Sequence, residues 1–155
     1  MGYAARSDGQ ARLAVWCIRG AVSATEWAAH LRDMEQVRRW GTSGPRPCVL
    51  LQLLDNSFVP NAAQRRDIAE HSAGVDYRPN LAVVTTNPVV RGVIQALGWL
   101  QTQQRSYQLH PFATAGDAMA WLEKERGHTL PALRALLEEA HAALSAGRPL
   151  AAPPR

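Results

Sequence analysis

Lysine is almost missing from this chain. Of 17 basic side chains only Lys124 is lysine and the other 16 are arginine. Nor is there a block of like charge: Arg6, Arg12, Arg19, Arg32, Arg38, Arg39, Arg65, Arg66 and Arg91 are scattered, although the net charge is +4. Scatter of this kind argues against a nucleic-acid partner, which would gather its cations or interleave them with exposed aromatics. Cysteine is scarce too. Cys17 and Cys48 both fall in apolar runs, which excludes a disulfide framework or a cysteine-based metal pair and makes them small buried hydrophobes. No apolar run approaches the roughly 20 residues that span a bilayer, so no membrane association is expected. The opening MGYAARSDGQ lacks the apolar core of a secretory signal. Arg6 stands where a myristoylation pattern requires Ser or Thr. The expectation is a reduced, cytoplasmic protein. GxSxG, P-loop and GxGxxG motifs are all missing, as is any His, Cys and acid spacing suited to a metal, so neither cofactor nor metal is expected.

What is present is enough apolar sequence for one domain. The chain has 155 residues and is 46% hydrophobic. The pattern assigns residues 1–146 to a single domain and leaves the Pro-rich tail 147–155 disordered. A turn at Asp8-Gly9 could join a short edge strand near Tyr3–Arg6 to a strand over Ala11–Arg19 that Gly20 ends. Ser23 and Glu26 form a capping-box pattern. Behind it Trp27, Leu31, Met34, Val37 and Trp40 recur on one helical face. CVLLQLL, from Cys48 to Leu54, reads as a strand buried on both sides. Pro60 and Asn61 precede a helix that ends near Gly74. LAVV is the next strand, and Asn87 with Pro88 caps the helix after it. SYQLHPF is a short strand that Pro111 ends. Thr114 and Asp117 open a helix that Gly127 stops, and Thr129 opens a last, leucine-bearing helix. This alternation predicts an α/β fold: a small mixed, largely parallel sheet of four to five strands with helices on its faces, plus a C-terminal helix.

In such sheets ligands gather beyond the carboxyl ends of the strands. One strand end carries Asp55, Asn56 and Ser57; the next carries Thr85, Thr86 and Asn87, with Arg91 one turn into the helix; a third carries His110. Arg65 and Arg66 open the helix between. These residues are the candidate binding set, with two readings. They either meet acidic groups of a partner protein, or hold a small anion or lipid at Thr86, Asn87 and Arg91. The plain alternative is that Thr, Asn and Pro here only cap a helix and that Arg91 pairs with Asp55. A phospho-receiver reading fails because the first strand ends Ile18-Arg19-Gly20, without an acidic pair. No nucleophile, base and orienting group can be assembled, so an enzyme is not expected. The five tryptophans read as core.

Three stretches carry a resemblance: the apolar strand ending in Asp55, RPNLAVVTTNPVVRGVIQALGWL, and HPFATAGDAMAWLE. Together they resemble the STAS-like superfamily (sulfate transporter and anti-sigma-factor antagonist), in particular a bacterial branch with a "VVRGV…A…W" helix and a closing "F…A…WL". The resemblance covers Ala11 to Leu122. It implies a non-catalytic regulatory role in which the chain binds another protein, such as a signalling or anti-sigma-type regulator. Independently of the resemblance, the leucine stripe of the last helix either completes the core or covers a second subunit, which would make a homodimer. One departure matters. Regulated members carry a phosphorylatable serine in an Asp-Ser-Ser-Gly-like turn, which would fall near Asn61–Ala63, where this chain has no hydroxyl. Ser57 is a poor substitute, so the usual kinase switch is not implied.

Overall fold

A computed structural model describes residues 2–55, 57–100 and 106–146, with residues 96–100 as backbone only. Asn56 and the expected disordered tail lie outside the described residues. Five strands form one sheet in chain order: β1 (Tyr3–Asp8), β2 (Leu13–Ile18), β3 (Cys48–Leu53), β4 (Asn80–Val84) and β5 (Gln108–Phe112). The first pair is antiparallel and the other three pairs are parallel. The helices are α1 (Ala24–Arg39), α2 (Ala62–His71), α3 (Pro88–Leu100), α4 (Ala115–Arg126) and α5 (Pro131–Ser145). The fold is therefore α/β, mixed and mostly parallel, with a C-terminal helix. None of the helices among the described residues is long and apolar enough to cross a membrane.

Why the sheet is two-sided follows from β2, LAVWCI, in which every residue is buried. Successive side chains of a strand point to opposite faces. Leu13, Val15 and Cys17 pack with Met119 and Leu122 of α4 and Leu133 and Ala140 of α5. Ala14, Trp16 and Ile18 pack with Met34 and Val37 of α1, Ile68 of α2, and Val90 and Ile94 of α3. The three crossover helices thus share one face. Right-handed connections between neighbouring parallel strands advancing in one direction require this. All three begin at the same edge of the sheet, where β2, β3 and β4 end.

The caps expected from the sequence form. Ser23 and Glu26 make the reciprocal box, and Asn61 makes a second with Gln64. Asp117 N–H donates to Thr114 Oγ1 at 3.1 Å, and Gly127 closes α4 in the left-handed region at φ 91°. Two boundaries differ from expectation. Pro111 lies inside β5 opposite Val83; an edge strand tolerates proline because one side of its backbone needs no partner. Pro131, not Thr129, begins α5, and Leu130 N–H donates to Glu123 Oε2 at 2.6 Å in place of a side-chain cap.

The arginine bias has a structural use. Arg126 donates to the carbonyls of Ala11, Arg12 and Arg46 at 2.9, 3.2 and 3.1 Å. It thereby pins the chain entering β2 to the chain entering β3. Arg46 reaches Ser106 O at 2.6 Å and Arg78 O at 3.3 Å. Arg78 reaches Gly44 O at 2.7 Å and Gly41 O at 3.3 Å. Arg38 holds the end of α2 through His71 O, Ala73 O and Asp76. A planar fork with five donors bridges several carbonyls at fixed angles, whereas an ammonium acts as a point.

Candidate functional site

The edge where the parallel strands end gathers both candidate segments. After β3 the chain turns on Asp55. Its Oδ1 accepts from Ser57 Oγ at 2.5 Å, Ser57 N at 3.1 Å and Gly20 N at 3.1 Å. The Ser57 hydroxyl, then the two N–H groups, hold the Asp55 carboxyl below its usual range, with help from the Arg19 charge. Asp55 therefore ties the exit of β2 to the exit of β3. Gly20 sits at φ +65°, and a Cβ there would lie 3.6 Å from Asp55 Oδ2. Both Asp55 and Ser57 are exposed but already bonded to each other. Asn56 is outside the described residues.

Next in the chain, Phe58 is buried and packs near Trp27 with ring centroids 6.4 Å apart. Val59, by contrast, is 62% exposed. Arg65 bends back to Pro60 O at 2.8 Å. Arg66 is exposed. The helix that carries them, α2, buries no residue completely. It is held by Ile68, by Trp27 Nε1 donating to Asp67 Oδ2 at 2.9 Å, and by Arg38 at its far end.

The opposite half belongs to β4. Thr85 was expected on the rim, but it is buried at 1% exposure. Its N–H donates to Phe112 O at 2.9 Å and its Oγ1 accepts from Asn87 N at 3.1 Å. It is a joint residue, out of reach of a partner from solvent. Asn87 is the helix cap: Oδ1 accepts from Val89 N at 3.0 Å and its carbonyl from Arg91 N at 3.0 Å. Thr86 is exposed and Arg91 half-buried. Arg91 does not pair with Asp55; the ion pairs among the described residues lie elsewhere.

Neighbouring pairing of β3 with β4 brings the Asp55–Arg66 and Thr85–Arg91 segments to adjacent positions on this edge. Its electrostatics are one-sided. Four helix N-termini, those of α1, α2, α3 and α4, lie along this edge, each with a positive partial charge. Among the described residues the side chains of Arg19, Arg66 and Arg91 find no hydrogen-bond or ion-pair partner. Three of the nearby carboxylates are spent, and the exposed Asp117 lies apart from them in the first turn of α4. Asp55 is held by Gly20 and Ser57, and Asp67 by Trp27. Glu26 receives Gly2 N and Tyr3 N on Oε2 and Ser23 N on Oε1. Burial pushes the Glu26 carboxyl up, yet those donors outweigh it and hold the group below its usual range.

Three features were not anticipated. The outer face of α3 is apolar: Val89 is 71% and Val93 51% exposed, while Val90 and Ile94 pack inward. The signal was visible as a helix with apolar residues on both faces. The second is His30, buried among Tyr3, Trp16 and Trp27 at ring distances of 5.4, 5.1 and 5.2 Å. Burial, with the nearby His71, pushes its pKa down to about 4, so it is neutral. The third is the half-buried His141, whose Nε2 meets Gln52 Oε1 at 2.5 Å. His110 lies inside β5, exposed, with its ring 4.7 Å from Trp121. Of the tryptophans Trp16 is fully buried, and Trp27, Trp40 and Trp121 are half-buried; the Trp99 side chain falls outside the described set. Burial pushes the Cys17 thiol up to about 12 and raises that of Cys48, which leaves both as unreactive core groups. Among the described residues no three His, Cys, Asp or Glu side chains are grouped to hold a metal.

Comparison with family models, with curated proteins and with solved structures gives no match for this chain.

Proposed function

We propose that this chain is a STAS-like, non-enzymatic regulatory module that works by docking another protein on the strand-end edge. The observation that carries the reading is a pairing of features at that edge. Exposed Val59 lies on the segment that bears Arg66, and exposed Val89 and Val93 lie on the helix that bears Arg91; among the described residues neither cation has an ion-pair partner. Large exposed apolar side chains beside arginines suit a protein interface, where arginine anchors and apolar contacts carry most of the binding. The partner that fits is acidic, because Glu26, Asp55 and Asp67 beside these arginines are already bonded within the chain. Mixed β1–β5 order with crossover helices on one face supports the STAS-like assignment. With no hydroxyl at Asn61–Ala63, docking is constitutive or governed elsewhere.

The test is charge reversal. Arg66→Glu with Arg91→Glu, in tagged protein expressed at native level, removes the enriched partner from quantitative affinity capture, while a control reversal at Arg134 on α5 does not. Recovery of the same partners at unchanged yield rejects the surface. Native mass spectrometry of the purified protein covers the rival reading: a retained anion or lipid that Arg91→Ala releases would replace the docking module with a carrier. The structure gives that rival less support, since Thr85 Oγ1 and Asn87 Oδ1 already accept bonds within the turn.

A further inference from the structure

From the docking reading, on which this step rests, we infer that the partner lays an acidic amphipathic helix along the outer face of α3. At about 3.6 residues per turn the inward residues of α3, Val90 and Ile94, leave Gly92 at the outer crest. Val89 and Val93 flank that crest on one side and Arg91 on the other. Both valines and Gly92 are exposed, and the position a Cβ would take on Gly92 has no atom within 4 Å.

Each feature narrows the occupant. Valines one turn apart form a short stripe parallel to the helix axis, which the stripe of a second helix matches by side chains at similar spacing. A crest with no side chain lets the partner's backbone approach more closely than any other residue would allow. Glycine weakens an exposed helix, so Gly92 costs stability here without any packing role inside this chain. The unpaired Arg91 on the crest's far flank, with Arg66 on the neighbouring α2, selects carboxylates on the partner. The same charges disfavour a second copy, which would set arginine against arginine.

The experiment uses the full chain and labelled synthetic helices. One has a leucine stripe with glutamate flanks, a second has the same stripe with lysine flanks, and a third is the acidic peptide scrambled so that the leucines share no face. Fluorescence anisotropy reads the affinities. The striped acidic peptide binds about tenfold tighter than either other. Gly92→Leu abolishes most of that gain while raising the melting temperature by about 2–4 °C, because leucine is the better helix former. Val93→Asp, at an exposed position, also lowers affinity and leaves the melting temperature unchanged.

If the scrambled acidic peptide binds as well as the striped one, the helix inference falls and the docking reading survives. The same holds if no peptide binds although arginine reversal still loses the captured partner. If neither the peptides nor the captured partner responds to arginine reversal, both fall. Self-association in sedimentation that Val93→Asp abolishes would assign the face to a second copy instead. Binding to anionic phosphatidylglycerol vesicles that Gly92→Leu strengthens would assign it to a lipid surface.

Discussion

Acid should weaken this protein by an amount set largely by one histidine. His30 is 4% exposed and packed edge-on against Tyr3 and Trp16, with Trp27 tilted over it. Its Nδ1 is 3.4 Å from Tyr3 Oη, whose hydroxyl donates to Asp33 Oδ2 at 2.5 Å. Burial raises the Asp33 carboxyl, and its bond from Tyr3 offsets only part of this. Asp67 of α2 is engaged by Trp27, and His71 adds a like charge when protonated. Among the described residues no carboxylate stands directly against the imidazole, so a charge there is met only by the long contact to the Tyr3 hydroxyl.

The folded pKa is about 4 against an ordinary 6.5. The unfolded chain thus binds the proton first. Stability is full above about pH 7, falls as pH drops through 6.5 toward 4, and levels off below. From the two pKa values the loss is about 2 kcal/mol by pH 5 and about 3 kcal/mol by pH 4. Other groups titrate in this window: His141 in the same direction, and Asp33 in the opposite one because its folded pKa is raised. The assay is therefore a difference. Urea unfolding of the wild type and His30→Phe is followed at each pH from 8 to 4. Phenylalanine keeps a ring in the box and removes the titration, so any fixed packing offset cancels. The wild type should lose ground to the variant by roughly 1 M in urea midpoint between pH 7.5 and 5. A difference that stays flat over that range, or an NMR titration placing His30 near 6.5, would refute the account of the buried box.

Two further perturbations check the polar framework. Arg126→Lys keeps the charge but cannot span three carbonyls, and should cost about 2–3 kcal/mol in urea unfolding; Arg66→Lys, at an exposed and unbonded site, should stay within about 0.5 kcal/mol. Equal effects at the two sites would show that arginine is not used for its fork. Ser23→Ala should cost about 1 kcal/mol through loss of the cap. Glu26→Ala should cost about 2 kcal/mol, since its carboxylate also receives Gly2 and Tyr3 of β1. Amide hydrogen exchange at β1 should rise in the second variant and not in the first.

Local signals in the sequence located most elements and their caps. Ser23 with Glu26, Asn87 with Pro88, Thr114, and Gly127 act within a turn or two of themselves, so backbone chemistry alone fixes them. The nearly continuous apolar run Cys48–Leu54, broken only by Gln52, marked a strand covered on both faces for the same reason: such burial leaves little room for alternation. Other features depend on residues far apart in the chain. Thr85 and Thr86 read alike, and only the closing of β5 beside β4 buries the first and leaves the second exposed. Arg126 and Arg66 read alike too, until the sheet brings the carbonyls of Ala11, Arg12 and Arg46 to one guanidinium. The aromatic box of His30 is assembled from β1, β2 and α1. The apolar outer face of α3 became visible once Val90 and Ile94 were seen to take the inward positions. Short-range hydrogen bonding and periodicity are written along the chain, whereas which polar group is spent and which is free is settled by long-range packing.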